Sequence, residues 1–181
     1  DLTSKDKEQL NNFKKCIGIN NKISIKHNGM GLPYLRIQFR NVFFYNFLFS
    51  IGLTPAKSKT LGPIKIPRVY FFDFLRGVFD GDGSTYSYWD KRWRSSFMFY
   101  LGFASASKAF VDWLRSEIYE FLKIRGHVTS SGRFGNCYQL KYAKKESLRI
   151  FKKMYYAKNV ICLERKYLKI KKMLAIVGEK L

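Results

Sequence analysis

The residues of this sequence that are best suited to chemistry lie in a short acidic turn, Asp80-Gly81-Asp82-Gly83, which follows a strongly apolar segment. The apolar segment predicts a helix, and the end of a helix exposes backbone carbonyl oxygens that carry a partial negative charge. A carboxylate beside such a carbonyl provides two hard oxygen donors, which suit Mg²⁺. The turn therefore predicts a magnesium site, with a plain acidic turn between helix and strand as the alternative.

A calcium-binding loop is another interpretation of the same residues, and the spacing excludes it. An EF-hand loop that starts at Asp80 needs Gly at position 85 and Glu at position 91. The sequence has Thr85 and Lys91 at these positions. Calcium binding of the EF-hand type is therefore not expected.

Charge is the second signal, and its placement is more informative than its sum. The 181 residues include 34 Lys and Arg against 13 Asp and Glu, which gives a net charge of +21. No acid occurs from Gln9 to Phe72, a stretch of 64 residues with ten basic ones. Such a surface predicts a polyanion as partner, nucleic acid above all. A solvated basic surface and a ribosome-like protein that coats RNA are the alternatives, and an anionic membrane is disfavoured because the basic residues alternate with apolar ones.

Composition narrows the class of protein further. With 46% hydrophobic and 18% aromatic residues the chain can bury a core, which excludes a disordered basic tail. The sequence has no apolar run of about 18 residues that would predict a membrane span, and its start resembles neither a signal peptide nor a transit peptide. Cys16, Cys137 and Cys162 are few and far apart, so we expect neither a disulfide nor a zinc site. An intracellular location, in bacterial cytoplasm or an organelle matrix, fits this cysteine usage.

Hydrophobic periodicity predicts the elements that position the acidic turn. Apolar residues at helical spacing predict helices at 43–51, 71–80, 107–122, 146–155 and 163–177, and at 4–16 with Ser4 as N-cap. Alternation of polar and apolar residues predicts strands at 22–26, 35–40, 84–89, 95–104 and 138–142, and around Val128. Three of the four prolines lie between residues 54 and 67, which predicts a linker.

The order of these elements repeats. The matching segments are Ser4-Lys5 with Ser107-Lys108, Ile37-Gln38-Phe39 with Leu140-Lys141-Tyr142, and Pro55-Ala56-Lys57-Ser58 with Tyr156-Ala157-Lys158-Asn159, at offsets of 103, 103 and 101 residues. A near-constant offset predicts a duplicated unit, with the chain divided into 1–66 and 67–181. The counterpart of the helix and turn at 71–83 would fall about 19 to 31 residues before Asp1. We therefore expect the first unit of this chain to lack its opening helix.

The segment from Leu75 to Gly83 resembles the signature of the LAGLIDADG homing endonucleases. It matches the motif at Leu75, Gly77, Asp80, Asp82 and Gly83, with conservative replacements at Val78 and Phe79, a small residue at Gly81 and a departure at Arg76. The aromatic surroundings and the repeated element order also resemble this family, and the resemblance covers nearly the whole chain. It implies an α+β fold of two pseudo-symmetric αββαββα units, which form a DNA-binding saddle with the motif helices at the interface.

The resemblance also implies roles for individual residues. Asp82 would be a Mg²⁺ ligand with the Gly81 carbonyl beside it, whereas Asp80 would cap or support the turn. Lys141 would lie close to the scissile phosphate, where it would stabilise charge or hold the attacking water. Gln38 is its counterpart in the first unit, so Asp82, Lys141 and Gln38 form the predicted catalytic set. A surface lysine on a strand is the alternative for Lys141.

Polar residues on the strands are predicted to contact double-stranded DNA in the major groove, which admits a two-stranded ribbon. The predicted contacts are Lys22, Ser24, Lys26, Arg36, Gln38 and Arg40 in the first unit and Ser84, Tyr86, Tyr88, Arg92 and Arg94 in the second. Stacking in a core is the alternative for the two tyrosines. Basic residues elsewhere are predicted to meet phosphates, namely Lys57, Lys59, Lys65, Arg133, Lys158 and Arg165.

These interpretations together predict a site-specific endonuclease that uses Mg²⁺ to cleave double-stranded DNA and is encoded in an intron. An intein is less favoured because no Cys or Ser stands at an evident splice junction. The alternatives are a non-cleaving relative, such as an RNA-binding maturase or a transcription factor, and an inactive fragment. We expect the full-length protein to be a pseudo-symmetric monomer that does not associate with membranes, with a homodimer as the alternative.

Overall fold

The fold consists of two antiparallel sheets and the helices that cover them. It is seen in a computed structural model that describes residues 1–93, 95–131 and 137–181. Its strands are Leu2–Ser4 (β1), Ile23–His27 (β2), Pro33–Ile37 (β3), Gly83–Trp89 (β4), Phe97–Ser105 (β5), His127–Ser131 (β6) and Cys137–Ala143 (β7). Its α-helices are Lys7–Ile17 (α1), Val42–Ser50 (α2), Phe71–Asp82 (α3), Lys108–Leu122 (α4), Lys144–Met154 (α5) and Glu164–Ile176 (α6). The predicted α+β class is confirmed. Within the described ranges, every helix is too short or too polar to cross a bilayer.

Three strands of the second sheet repeat the strand order of the first sheet. The first sheet has the order β1-β3-β2, and the second has the order β4-β5-β7-β6. The order β5-β7-β6 therefore repeats β1-β3-β2, in line with the internal repeat of the sequence. Strand β4, which follows the acidic turn, pairs with β5 along its whole length, from Gly83 opposite Phe103 to Trp89 opposite Phe97.

The main hydrophobic core lies against one face of the second sheet. Alternate residues of β5 point into it, namely Phe97, Phe99, Leu101 and Phe103. The helices cover this face with Leu75 and Phe79 of α3, Leu114 and Ile118 of α4, and Ile150 and Phe151 of α5. The opposite face of the sheet bears Ser84, Tyr86, Tyr88 and Lys141 and is not covered by the core, as expected for an antiparallel sheet with one face on the core.

The beginning of the chain differs from the sequence prediction in the N-cap of α1 and in the presence of strand β1. Asp6 is the N-cap of α1 and accepts a hydrogen bond from the Glu8 amide at 3.1 Å, whereas Ser4 belongs to β1 and pairs with Leu35. Strand β1 has only three residues, too few for a pattern of alternation to reveal it. The prediction of Ser107 as an N-cap is confirmed by its hydrogen bond from the Phe110 amide.

Strand β3 ends at Ile37, three residues before the predicted end at position 40. Asn41 is the N-cap of α2 and accepts from the Phe44 amide at 2.8 Å, so the chain leaves the sheet before it reaches this residue. The prediction that Gln38 and Arg40 lie on the strand is therefore wrong. Lys22 likewise precedes the first residue of β2.

Candidate functional site

The acidic turn is the last turn of α3, and its two aspartates have different environments. The helix continues through Gly81 and Asp82, both exposed, and β4 begins at Gly83. A side chain at Gly83 would not fit, because a Cβ there would lie 2.6 Å from the Cα atom of Phe79. The absence of a side chain at this position thus allows the chain to pass directly from helix to strand and leaves the Asp82 carboxylate in solvent.

Asp80 points away from the exposed end of α3. Its Oδ2 atom accepts a hydrogen bond from the Leu163 amide at 3.0 Å, and its Oδ1 atom is buried without a partner among the described residues. Burial raises the pKa of Asp80 to about 6, although the Leu163 amide and the charge of Lys166 oppose the increase. The supporting role predicted for Asp80 corresponds to this link between α3 and the start of α6.

Lys166 of α6 binds the backbone at the end of α3, a contact that the sequence did not reveal. Its Nζ atom donates to the carbonyls of Phe79 at 2.5 Å, Asp80 at 2.9 Å and Gly83 at 2.6 Å. The prediction of exposed carbonyls at this helix end is therefore wrong for Phe79 and Asp80, and the carbonyl of Gly83, at the start of β4, is bound as well. The carbonyl of Gly81, which the resemblance assigns to the metal, is not among those that Lys166 binds.

Arg76, the residue that departs from the motif, has a structural role. It is 6% exposed, and its guanidinium donates to the carbonyls of Met154 at 2.6 Å and Ile161 at 2.9 Å. It also forms an ion pair with Asp73 one turn earlier in α3. Arg76 thereby joins α3 to the end of α5 and to the segment before α6.

The donors at the acidic turn fit a magnesium ion shared with a phosphate, and they do not fit a closed metal cage. Among the described residues, no group of three or more His, Cys, Asp or Glu side chains could surround a metal. Asp82 offers an exposed carboxylate, and the Gly81 carbonyl lies in the same turn. One or two carboxylates, waters and phosphate oxygens are the usual ligands of Mg²⁺ in phosphate chemistry.

Lys141 lies on the exposed face of the second sheet, in register with the strand that follows Asp82. It pairs with Gly102, which in turn pairs with Ser84, so the three residues form a row across β7, β5 and β4. Because Gly102 has no side chain, the row contains a depression of about 180 Å³ between Ser84 and Lys141. Ala104 lines this depression and also a neighbouring one that contains Asp82. Asp82 and Lys141 thus face two adjoining hollows at the same end of the sheet.

Three tyrosines form a stack on the same face. Tyr86 and Tyr88 are 49% and 43% exposed, and Tyr100 lies opposite Tyr86 on β5. The rings of Tyr86 and Tyr100 are 4.8 Å apart and nearly parallel, and Tyr88 lies 6.2 Å from Tyr86. A hydrogen bond with Tyr88 and partial burial raise the pKa of Tyr100 to about 12. The alternative of a core position for Tyr86 and Tyr88 is therefore wrong.

The first sheet brings together part of its predicted set. Ser24 and Arg36 are paired across β2 and β3, and Lys26 is paired with Tyr34, so Ser24, Lys26 and Arg36 share a face. Gln38 is exposed beyond the end of β3, and its carbonyl accepts from the Asn21 side chain at 3.0 Å. Lys22 and Arg40 are exposed outside the strands.

The other predicted contacts are scattered or already engaged. Arg92, at the tip of the β4–β5 hairpin, is exposed and paired with Asp90. Arg165 donates to Asp6 at 2.8 Å, and this guanidinium holds the pKa of Asp6 below its usual range. Lys57 lines the same hollow as Asp82. Arg94 and Arg133 lie outside the described residues.

With this geometry the fold can be compared with known proteins. No family model and no curated protein matches the chain. The structure of the LAGLIDADG homing endonuclease I-LtrWI bound to target DNA is similar to 98% of this chain over 78% of its own, with a TM-score of 0.59 at 12% identity. I-DmoI in complex with DNA and Ca is similar over 93% of this chain and 81% of its own, with a TM-score of 0.57 at 16% identity.

A structure described as the N-terminal LAGLIDADG domain of WhiA is also similar, over 91% of this chain and 69% of its own, with a TM-score of 0.50 at 15% identity. The chain therefore has the LAGLIDADG fold, which confirms the prediction made from the segment at 75–83. At identities of 12 to 16%, these similarities show the fold alone.

Proposed function

We propose that this protein is a site-specific endonuclease of the intron-homing type, which uses Mg²⁺ to hydrolyse phosphodiester bonds in double-stranded DNA. The observation that carries the proposal is the position of Asp82. It is an exposed carboxylate at the end of a helix anchored in the core, beside the polar sheet face that bears Lys141. This arrangement supports a metal ion and a cation at one phosphate, as phosphoryl transfer requires.

In this proposal, Asp82 and the Gly81 carbonyl hold Mg²⁺. A Mg²⁺ ion held there would supply the charge that polarises the phosphate and lowers the pKa of a water ligand. Lys141 lines the hollow beside Gly102. From there its ammonium would stabilise the negative charge that develops on the phosphate. Gln38 is uncharged and can only orient water or a phosphate oxygen by hydrogen bonds.

DNA would lie along the exposed faces of both sheets. The second sheet offers Ser84 and the tyrosine stack, with Arg92 at its hairpin tip, and the first sheet offers Ser24, Lys26 and Arg36. Lys22 and Arg40, exposed outside the strands of the first sheet, and Arg94 and Arg133 are further predicted contacts. Lys57, Lys59, Lys65 and Lys158 remain the proposed phosphate contacts. Arg165 is the weakest of that set, because its guanidinium is bound to Asp6.

We further propose that 1–66 and 67–181 are two pseudo-symmetric units and that a second motif helix packs on α3. Gly77 supports this, since it is exposed and a Cβ built there meets no atom within 4 Å. Gly77 also lines two hollows of about 700 and 550 Å³, one beside α1 and one beside residues 53–64. Small residues of this kind allow two helices to approach closely.

A DNA- or RNA-binding protein that does not cleave, such as a maturase or a transcription factor, is the second candidate. One observation favours this candidate. At the end of α3, an exposed carboxylate adjoins the sheet face, and the described residues of the first half contain no counterpart of it. Two metal sites side by side are the more capable arrangement for phosphodiester hydrolysis. Cleavage that depends on Mg²⁺ separates the two candidates.

The experiment is a selection for cut sites. A plasmid library with randomised inserts is incubated with the protein in Mg²⁺, and a parallel sample is incubated in EDTA. We expect linear products from a narrow set of inserts in Mg²⁺ alone. Binding of a discrete set of inserts without any cutting in Mg²⁺ would establish the second candidate instead.

A salt titration tests the DNA-binding part separately. If six to ten phosphates are contacted, affinity falls by about 10³ to 10⁵ between 50 and 200 mM salt. The affinity at each salt concentration is measured by fluorescence anisotropy of a labelled DNA duplex. An affinity that does not change with salt would contradict a DNA partner bound through the basic faces.

A further inference from the structure

Lys166 uses every donor of its ammonium on the backbone next to Asp82. A lysine ammonium has three N–H donors, and three carbonyls accept from Lys166 at 2.5 to 2.9 Å. These carbonyls belong to Phe79, Asp80 and Gly83, which bracket Gly81 and Asp82. Because no donor remains, the side chain has none left to reach a phosphate.

The position of Lys166 is fixed by the start of α6. The amide of Leu163 donates to the Asp80 carboxylate at 3.0 Å, and the amide of Glu164 donates to Glu8 of α1 at 2.9 Å. Two carboxylates thus satisfy amides that have no partner within the helix, and negative charge is favourable at this end. Lys166, in the first turn, is unfavourable to the helix dipole there, so its contacts with α3 must compensate.

A second lysine of α6 continues the contact. Lys169 lies one turn after Lys166, and its Nζ atom donates to the carbonyl of Thr85 on β4. The Lys166 ammonium also lies 5.0 Å from the centre of the Phe79 ring, which is fully buried in the core. The backbone from Phe79 to Thr85 is therefore held from one side by the core and from the other by α6.

We infer that Lys166 is a positioning residue for the metal site. Its bonds to the backbone hold the Gly81 carbonyl and the Asp82 carboxylate in a fixed geometry before any metal binds. The inference rests on the proposed function, since it concerns the same site. It assigns to Lys166 a role through bonds to the backbone, in contrast to the direct role proposed for Lys141. Groups that orient metal ligands typically change metal affinity by about 10- to 100-fold when they are removed.

Lys166→Met tests the inference, because methionine keeps most of the apolar stem and removes the donors. Lys172→Met is the matched control, since Lys172 is an exposed lysine of the same helix. The first readout is amide hydrogen exchange of the metal-free protein. We expect exchange at residues 79–85 to increase in Lys166→Met and to stay unchanged in Lys172→Met.

The second readout is the affinity for Mn²⁺. It is measured by electron paramagnetic resonance on the complex of the protein with a random-sequence DNA duplex at low salt. We expect Lys166→Met to bind Mn²⁺ about tenfold or more weakly than wild type. Lys166→Arg, which restores donors and charge, should recover most of that affinity. A variant that loses helical circular dichroism is set aside in favour of Lys166→Arg and Lys166→Gln.

The outcomes are distinguishable from failure of the proposed function. Equal Mn²⁺ affinity and equal exchange in wild type and Lys166→Met overturn the inference alone. Tighter Mn²⁺ binding by Lys166→Met also overturns it, because the ammonium would then act by repelling the metal. No Mn²⁺ binding by the wild type overturns the proposed function, and the inference with it.

Discussion

The two halves of this molecule share an arrangement of elements and differ in how completely those elements are packed. The second sheet has four strands, and helices α3, α4 and α5 bury one of its faces. The first sheet repeats three of the four strands, and no described strand takes the place of β4 beside β1. Leu10 and Ile37 are the fully buried hydrophobic residues of the first sheet and its helices, within the part of the chain that the structure describes.

The corresponding helices α2 and α5 show the same difference. Helix α5 buries Ile150, Phe151 and Met154 and packs against α3 and β5. Helix α2 buries none of its nine residues, and Phe43 is 87% exposed. Helix α2 therefore contributes little buried apolar surface to a core, in contrast to α5. The half that carries the acidic turn is thus the half that can hold it rigidly.

The chemistry is distributed in the same unequal way. Lys141 lies within β7 and lines the hollow beside Gly102, whereas its counterpart Gln38 lies past the end of β3. Asp82 and Lys141 both come from the second half. In the proposed function, this half is therefore the catalytic candidate, and the first half contributes positive charge for binding DNA.

The largest expected effect contrasts the two cores. Phe79→Ala removes a fully buried ring and should lower the free energy of unfolding by about 3 to 5 kcal/mol. Phe43→Ala removes an exposed ring and should change it by less than about 0.5 kcal/mol. Urea denaturation followed by circular dichroism measures both. A comparable loss for Phe43→Ala would mean that α2 is covered in solution, and the contrast between the halves would be lost.

The next effect contrasts the two counterpart residues in cleavage. Lys141→Met should reduce the single-turnover cleavage rate by about 10²- to 10³-fold, since it removes a cation from the phosphate. Gln38→Met should reduce it by less than about tenfold, because no charge is lost. Rates are measured at saturating protein, so that weaker DNA binding does not contribute. Equal losses for both variants would make the first half an equal participant in the chemistry.

A smaller effect concerns the link between Asp80 and α6. The pKa of Asp80 is raised by burial from 3.8 to about 6, so the native state binds the proton more tightly than the unfolded state. The stability that this gives is present below about pH 4 and is lost as pH rises through about 6. Relative to Asp80→Asn, which has no titratable group, wild type should lose about 1 to 2 kcal/mol between pH 4 and pH 7. Urea denaturation of both proteins in EDTA checks this, and parallel pH profiles would show that Asp80 is not buried as described.

The smallest effect tests the face of α3 that carries Gly77. If this face is free in the present chain, Gly77→Ala should raise the free energy of unfolding by about 0.5 to 1 kcal/mol, because alanine favours the helix. Gly83→Ala is the contrasting variant and should destabilise, since its Cβ would lie 2.6 Å from the Phe79 Cα. Destabilisation by Gly77→Ala, together with a dimer in sedimentation, would show that a second copy already packs on α3.

The sequence was sufficient to predict the helices and strands whose hydrophobic residues recur with a clear period. The apolar spacing of α4 and the alternation of β4 and β5 are local properties, and the structure has them within two residues of the predicted ends. The motif at 75–83 was enough to identify the fold. The end of β3 was misplaced because Asn41 caps the next helix, and a capping signal competes with alternation over the same few residues.

The parts of the site that sequence could not provide depend on pairing between distant segments. The row of Ser84, Gly102 and Lys141 exists because three strands are in register, which no local pattern specifies. Lys166 lies 84 positions after Asp82 in the sequence. Its one local signal is a basic residue in the first turn of a helix, where the dipole disfavours it. That signal indicates a partner without saying which one.

The most direct measurement is cleavage of a selected target by Asp82→Asn, with Asp112→Asn, an exposed carboxylate of α4, as the control. Both proteins are first shown to bind the target within about threefold of wild type. We predict that wild type and Asp112→Asn cut the target in Mg²⁺ and that Asp82→Asn cuts it at least about 10²-fold more slowly. Cleavage by Asp82→Asn at the wild-type rate, or tight binding by wild type with no cleavage in Mg²⁺, would contradict the assignment of Asp82 as the metal ligand of a nuclease.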